Sequence, residues 1–150
     1  SRRGHFADMN DLRLKGFMEQ MGDCGLPVTE QNVITGCESE ERVVQRIRER
    51  ILSGFPVDAV FGRNDRLACL GIRAVQGLGL TVPDDVSVVG FDNASISQYI
   101  SPTLTTVAMQ RNEIGAAAIE MLYQLMNGQM PEDRAFDTHV ILRESVAPKP

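Results

Sequence analysis

The sequence predicts an α/β fold in which a parallel β-sheet is covered by helices. Three observations carry this. Stretches with apolar residues at helical spacing alternate along the chain with short β-branched runs. The segments between strand candidates are long enough for helical crossovers, which parallel strands require and hairpins do not. Finally, Val86-Ser87-Val88-Val89 is too short for a buried helix and rich in valine, and it stops at Gly90. It reads as a central strand buried on both faces, followed at its carboxyl end by Phe91, Asp92 and Asn93.

Taken in order, residues 1–7 show no periodicity and read as a loop. Leu12, Phe17, Met18 and Met21 recur at helical spacing over 8–24, and Gly25 stands where a helix C′ residue is expected. Residues 32–35 are a short strand candidate. Over 38–52, Val43, Val44, Ile47 and Ile51 form the apolar stripe of a helix. Its arginines (Arg42, Arg46, Arg48, Arg50) are interleaved with Glu38, Glu40, Glu41 and Glu49, with Glu38 and Arg42 in the favourable i,i+4 order. That pattern describes a solvated face rather than a nucleic-acid surface.

Gly54 and Pro56 break the chain before a strand over 57–61. Asn64 and Asp65 open a helix with Leu67, Ala68, Gly71, Ile72, Val75 and Leu78 on its inner side, closed by Gly77 and Gly79. After the central strand, 94–101 reads as a short helix or turn, 104–107 as a strand, 111–126 as a long helix and 138–142 as the last strand, with 147–150 as a tail. In the long helix Ile114, Ala117, Ala118, Met121, Leu122 and Leu125 form a stripe. It is expected to be buried against the same lobe or a second copy of the chain.

At 150 residues the chain is long enough for one domain with a core. A net charge of -5 argues against a nucleic-acid surface on this piece. No apolar run approaches a bilayer span, so no membrane partner is expected. Cys24, Cys37 and Cys69 form no CxxC pair and cannot all be bridged, which favours a reducing, cytoplasmic setting. His5 and His139 are far apart in sequence, and neither a metal site nor a cofactor is expected. The opening Ser1-Arg2-Arg3-Gly4 suggests a piece of a longer protein.

No nucleophile elbow, Gly-rich phosphate loop or usefully spaced Cys/His pair is present, so an enzyme is not expected. The polar groups at element ends are instead Arg13, Asn64 with Asp65, and Asp92 with Asn93. A carboxylate, an amide and a guanidinium suit a polyhydroxylated ligand, and ligands of open α/β sheets sit outside the carboxyl ends of the strands. Each has a plain structural alternative. Asn64 is a preferred helix N-cap, Asp92-Asn93 an ordinary turn, and Arg13 a surface arginine.

Asp58-Ala59-Val60-Phe61-Gly62-Arg63-Asn64-Asp65, Gly71-Ile72-Arg73-Ala74, the run from Gly79 through Val82-Pro83-Asp84-Asp85 to Phe91-Asp92, and Ser101-Pro102-Thr103-Leu104-Thr105-Thr106-Val107 occur in that order. Together with Arg13, Gly16-Phe17, Gly115 and Arg143-Glu144-Ser145, they resemble the effector-binding domain of the lactose/galactose repressor family of bacterial regulators. The resemblance implies one lobe of a type I periplasmic-binding-protein-like, two-lobed domain. Residues 1–104 and 138–150 would form the C-terminal lobe, and 105–137 would cross into the other. It implies that Arg13, Asn64 and Asp92 hydrogen-bond a small effector, a sugar or a purine. DNA would be contacted only through a helix-turn-helix upstream. A homodimer would form through the outer side of 66–78 and through 96–100, with Leu70, Ile96, Tyr99 and Ile100 available. Two departures bear on the effector: Met109 and Gln110 stand where the family often has glutamine and proline, and no aromatic lies near Cys37 and Glu38. The alternative reading is a periplasmic sugar-binding protein of a transporter, which shares the fold. A doubly wound sugar enzyme is disfavoured for want of a nucleophile or metal cluster.

Overall fold

A computed structural model describes residues 12–37 and 39–148. Helix α1 (Leu12–Asp23) is followed by α2 (Glu40–Leu52), β1 (Ala59–Phe61), α3 (Asp65–Gln76), β2 (Ser87–Phe91), a single turn α4 (Ile96–Tyr99), β3 (Thr105–Met109), α5 (Arg111–Met126) and β4 (Thr138–Ile141). The sheet order is β1-β2-β3-β4. The first three strands are parallel, with Val60 opposite Val88 and Gly90 opposite Thr106, and β4 is antiparallel to β3. Glu38 and the start of the first predicted helix lie outside the described residues.

Helix α3 is the centre of the packing. Seven of its twelve residues are buried. Leu70 and Ala74 meet Val44 and Ile47 of α2, while Ala68 and Ile72 meet Val88 of β2 and Leu104 at the head of β3. Gly71 permits the close approach: a Cβ there would lie 3.1 Å from Val60 Cγ1. Arg48 departs from the solvated-face expectation, donating from Nε to Ala74 O at 3.3 Å near the C-terminus of α3, where a cation is favoured.

Three further expectations are corrected. Residues 32–35 form no strand: a 3-10 turn (Glu30–Asn32) runs into unpaired chain from Val33, with Ile34 packed against the α2–α3 cluster. Apolar side chains there found a core contact without a neighbouring strand to pair with. The central strand is buried on one face only. Val88 and Gly90 are buried beneath α3, whereas Ser87, Val89 and Phe91 are half-buried, because no comparable helix covers the opposite face among the described residues. The α5 stripe is not buried against its own lobe, the first of the two covers expected for it: of the sixteen residues of α5 only Ala117 is buried, and Leu122 and Leu125 are exposed.

Two features set the frame of the site. Ser145 is fully buried between β2 and the start of β3, accepting from Thr105 N at 2.8 Å and donating to Val88 O at 2.6 Å. At the other end, pairing of β2 with β3 stops at Phe91–Val107, while β3 and β4 continue as a two-stranded ribbon to Met109–Thr138. That ribbon carries α5 away from the sheet.

Candidate ligand-binding site

At the carboxyl end of β2 the structure brings Arg13 of α1 to Asp92, and Arg13 also reaches the carbonyl of Arg63, the neighbour of Asn64. Arg13, on the first turn of α1, donates from Nη1 to Arg63 O at 3.0 Å, and the same nitrogen is 3.9 Å from Asp92 Oδ1. Its guanidinium also lies over the Phe91 ring, 5.0 Å from the centroid. Arg13 therefore bridges from the residue before Asn64 to Asp92. Both charged side chains remain about a third exposed, at 37% and 30%. An ion pair this long and this open is worth no more than about 1 kcal/mol, so a ligand hydroxyl can intervene at little cost.

Asn64 is the N-cap of α3, in extended conformation, with Oδ1 accepting from Leu67 N at 2.9 Å. The capping alternative is thus what the backbone uses. It engages the oxygen alone, and the two N–H donors of the amide are not part of it. Asp65 is not a ligand group: it is 1% exposed. Asn93 is likewise turned to structural use, its Oδ1 accepting from Arg143 Nη2 at 2.9 Å.

The turn that presents Asp92 is unusual. Asp92 and Asn93 have positive φ, 104° and 48°, which L residues adopt rarely and Asn and Asp tolerate best. Asp92 N donates to Val107 O at 2.9 Å, and Arg111 Nη2 donates to Asp92 O from the start of α5. Beside the turn an open cavity of about 340 Å³ is lined by Asp92, Asn93, Gln110, Arg111, Glu113 and His139. A hollow of similar size, about 350 Å³, lies among the long side chains of Arg42, Arg46 and Arg50 on one face of α2; no strand end contributes to it, and it has no constellation of convergent groups.

Sequence reasoning missed the aromatic stack beside the site and the Arg111 clamp. Phe17 of α1 stacks on Phe61 at the end of β1, with centroids 5.7 Å apart and planes 8° from parallel. Phe61 and Phe91 each close a strand just before the polar residues, a spacing visible in the sequence. Arg111 had no such signal, since its reach to Asp92 depends on the β3–β4 ribbon. Among the described residues no group of three or more His, Cys, Asp or Glu is placed to hold a metal, and no helix is long and apolar enough to cross a membrane.

A family model described as a periplasmic binding protein-like domain matches residues 3–146. The chain is 34% identical to the HTH-type transcriptional repressor PurR of Photobacterium profundum over 136 residues, covering 89% of this chain and 41% of that protein. It is 33% identical to the HTH-type transcriptional repressor CytR of Escherichia coli over 140 residues, covering 92% and 41%. Among solved structures it superposes on a transcriptional regulator CelR–cellobiose complex with a TM-score of 0.80 at 29% identity, covering 89% of this chain and 41% of that one. A LacI-family sugar-binding transcriptional regulator from Escherichia coli complexed with phosphate matches with a TM-score of 0.81 at 25% identity, over 97% and 53%. The chain spans less than half the length of the curated relatives it matches.

Proposed function

Because this chain belongs to the periplasmic binding protein-like domain family, we propose that it is the effector-sensing part of a DNA-binding transcriptional regulator of the lactose/galactose repressor type. The ligand is a small polar molecule, a sugar or a purine-like metabolite, held by Arg13, Asn64 and Asp92. The observation that carries this is the loose Arg13–Asp92 pair beside the carboxyl end of β2, with the Arg13 guanidinium over the Phe91 ring. Asp92 accepts from neighbouring hydroxyls or ring N–H groups, Arg13 offers a planar fork, and the aromatic edges take the apolar face of a ring. Binding shifts operator affinity only to the extent that the ligand distinguishes the two states of the regulator.

The remaining assignments rest on the same reading. The protein is a cytoplasmic sensor rather than an enzyme, with no cofactor and no membrane partner. DNA contact belongs to a helix-turn-helix outside these 150 residues, in keeping with the net charge of -5. Residues 105–137 are the segment that crosses to a second lobe, although Thr105–Val107 still pair with β2. The overshooting β3–β4 ribbon and the uncovered α5 support that division. A homodimer face on α4 retains Ile96 and Tyr99, which are exposed; Leu70 is withdrawn from it, being buried against α2.

Calorimetry with a panel of monosaccharides, disaccharides and purine bases tests the site. Asp92→Ala is expected to weaken whatever the unsubstituted chain binds by about 1.5–3 kcal/mol, as for a hydrogen bond to a charged group. Unchanged affinity in a folded Asp92→Ala chain contradicts the assignment.

A further inference from the structure

We infer that Asp65, buried behind the site, is the positioning residue that holds Asp92 in its ligand-facing conformation. This deepens the assignment of Asp92 as a ligand acceptor and rests on it. Three successive backbone N–H groups are pinned at the turn. Asp92 N is held by Val107 O at 2.9 Å, Asn93 N by Thr106 Oγ1 at 3.3 Å, and Ala94 N by Asp65 Oδ2 at 2.6 Å. Thr106 itself donates its hydroxyl to Asp65 Oδ1 at 2.5 Å. One carboxylate therefore fixes the third anchor directly and orients the hydroxyl that makes the second.

The turn needs such anchoring, because both Asp92 and Asn93 lie in a region of positive φ that persists only when its surroundings over-determine it. Asp65 cannot reach a ligand, with 1% of its surface exposed. Its negative charge is accommodated at the first turn of α3, where the helix dipole favours an anion. The sequence also makes room for it: a Cβ at Gly90 would overlap Asp65 Oδ1 and lie 2.9 Å from Leu104 Cδ2. A buried carboxylate is a poor choice for stability alone, since a well-packed apolar side chain serves a core at least as well. Here it is tied to the one local geometry that aims Asp92.

The test is made on the ligand-free chain by NMR, so its outcome is separate from that of the ligand assignment. Positive φ gives strong intraresidue amide–Hα cross-peaks at Asp92 and Asn93, and a short bond to a carboxylate moves the Ala94 amide to low field. Asp65→Ala is expected to abolish both signatures while the Ile72 and Val88 methyl signals keep their dispersion. Thr106→Val, which removes only the hydroxyl, is expected to weaken the Asn93 cross-peak, and Thr106→Ser to restore it. If Asp65→Ala does not fold, the Thr106 pair decides the matter. Unaltered cross-peaks in Thr106→Val, or in a folded Asp65→Ala, overturn the inference. A chain that passes this test yet binds no sugar or purine refutes the ligand assignment and leaves the positioning role intact.

Discussion

Helices α3 and α5 are both rich in apolar residues, yet they have opposite fates. α3 buries seven of twelve residues, and α5 buries one of sixteen. The difference lies in what surrounds them. α3 is gripped from two sides, by α2 through Leu70 and Ala74 and by the sheet through Ala68 and Ile72. α5 follows the last two residues of β3, Ala108 and Met109, which run past the pairing with β2 and are paired with β4 alone. Periodicity says which face seeks burial, and topology says whether anything is there to meet it. The site lies at the junction, with Asp92 built on the α3 side and clamped through its carbonyl by Arg111 of α5.

The largest effect that sharpens this comparison is in the core. Ile72→Ala, at a residue 1% exposed, is expected to lower stability by about 2–5 kcal/mol, the usual range for such a cavity. Ile119→Ala on α5, where the side chain is 68% exposed, is expected to change it by about 0.5 kcal/mol or less. Urea denaturation of the two variants compares them directly; equal losses would mean that α5 is supported as firmly as α3. Next in size is the cap. Asn64→Ala is expected to cost about 1 kcal/mol by freeing the Leu67 N–H. Asn64→Asp keeps an acceptor and should recover most of that stability while altering ligand affinity. If ligand affinity follows stability through both substitutions, Asn64 is a cap and nothing more.

Much of the architecture was legible because local signals agreed with the fold. The helix over α3, the valine-rich β2 and the position of Gly25 each followed from spacing and chain chemistry, and Gly25 does adopt positive φ, 74°. The 32–35 segment misled because β-branched residues also suit an extended stretch that packs by Ile34 alone. One-sided burial of β2 was not legible, since it depends on which face the crossover helices occupy. In the site, Arg13 and Asp92 are legible in the sequence, whereas the structural role of Asp65 is not: nothing local distinguishes a solvent-facing carboxylate from one accepting from Thr106, forty-one residues away. Arg143, tying Asn93 to Ser97 and Leu104 O, escaped for the same reason.

A smaller effect comes from exposed carboxylates that clasp loops. Side-chain and backbone hydrogen bonds from Thr81 hold the Asp85 carboxyl below its ordinary pKa, and those from Thr103 do the same for Glu144. On the α5 side, Arg134 lowers that of Glu120. A depressed native pKa stabilises above the unfolded value, and that contribution is lost as pH falls from about 4 through the depressed value. Denaturation midpoints are therefore expected to drop in this acid window, and Asp85→Asn to flatten part of the slope. An unchanged pH profile in Asp85→Asn would show that the Thr81 clasp contributes nothing.

Hydrogen exchange on the unsubstituted chain tests the central contrast most directly, because it measures each helix separately under native conditions. The structure predicts slow exchange, near the global limit, for the amides of α3, β2 and β3, including the turn at Asp92 to Ala94. It predicts fast exchange by local opening for α5 from Ala116 to Leu125. Protection of α5 equal to that of α3 in the chain alone would contradict the claim that a packed block presents the site while α5 is left without a cover.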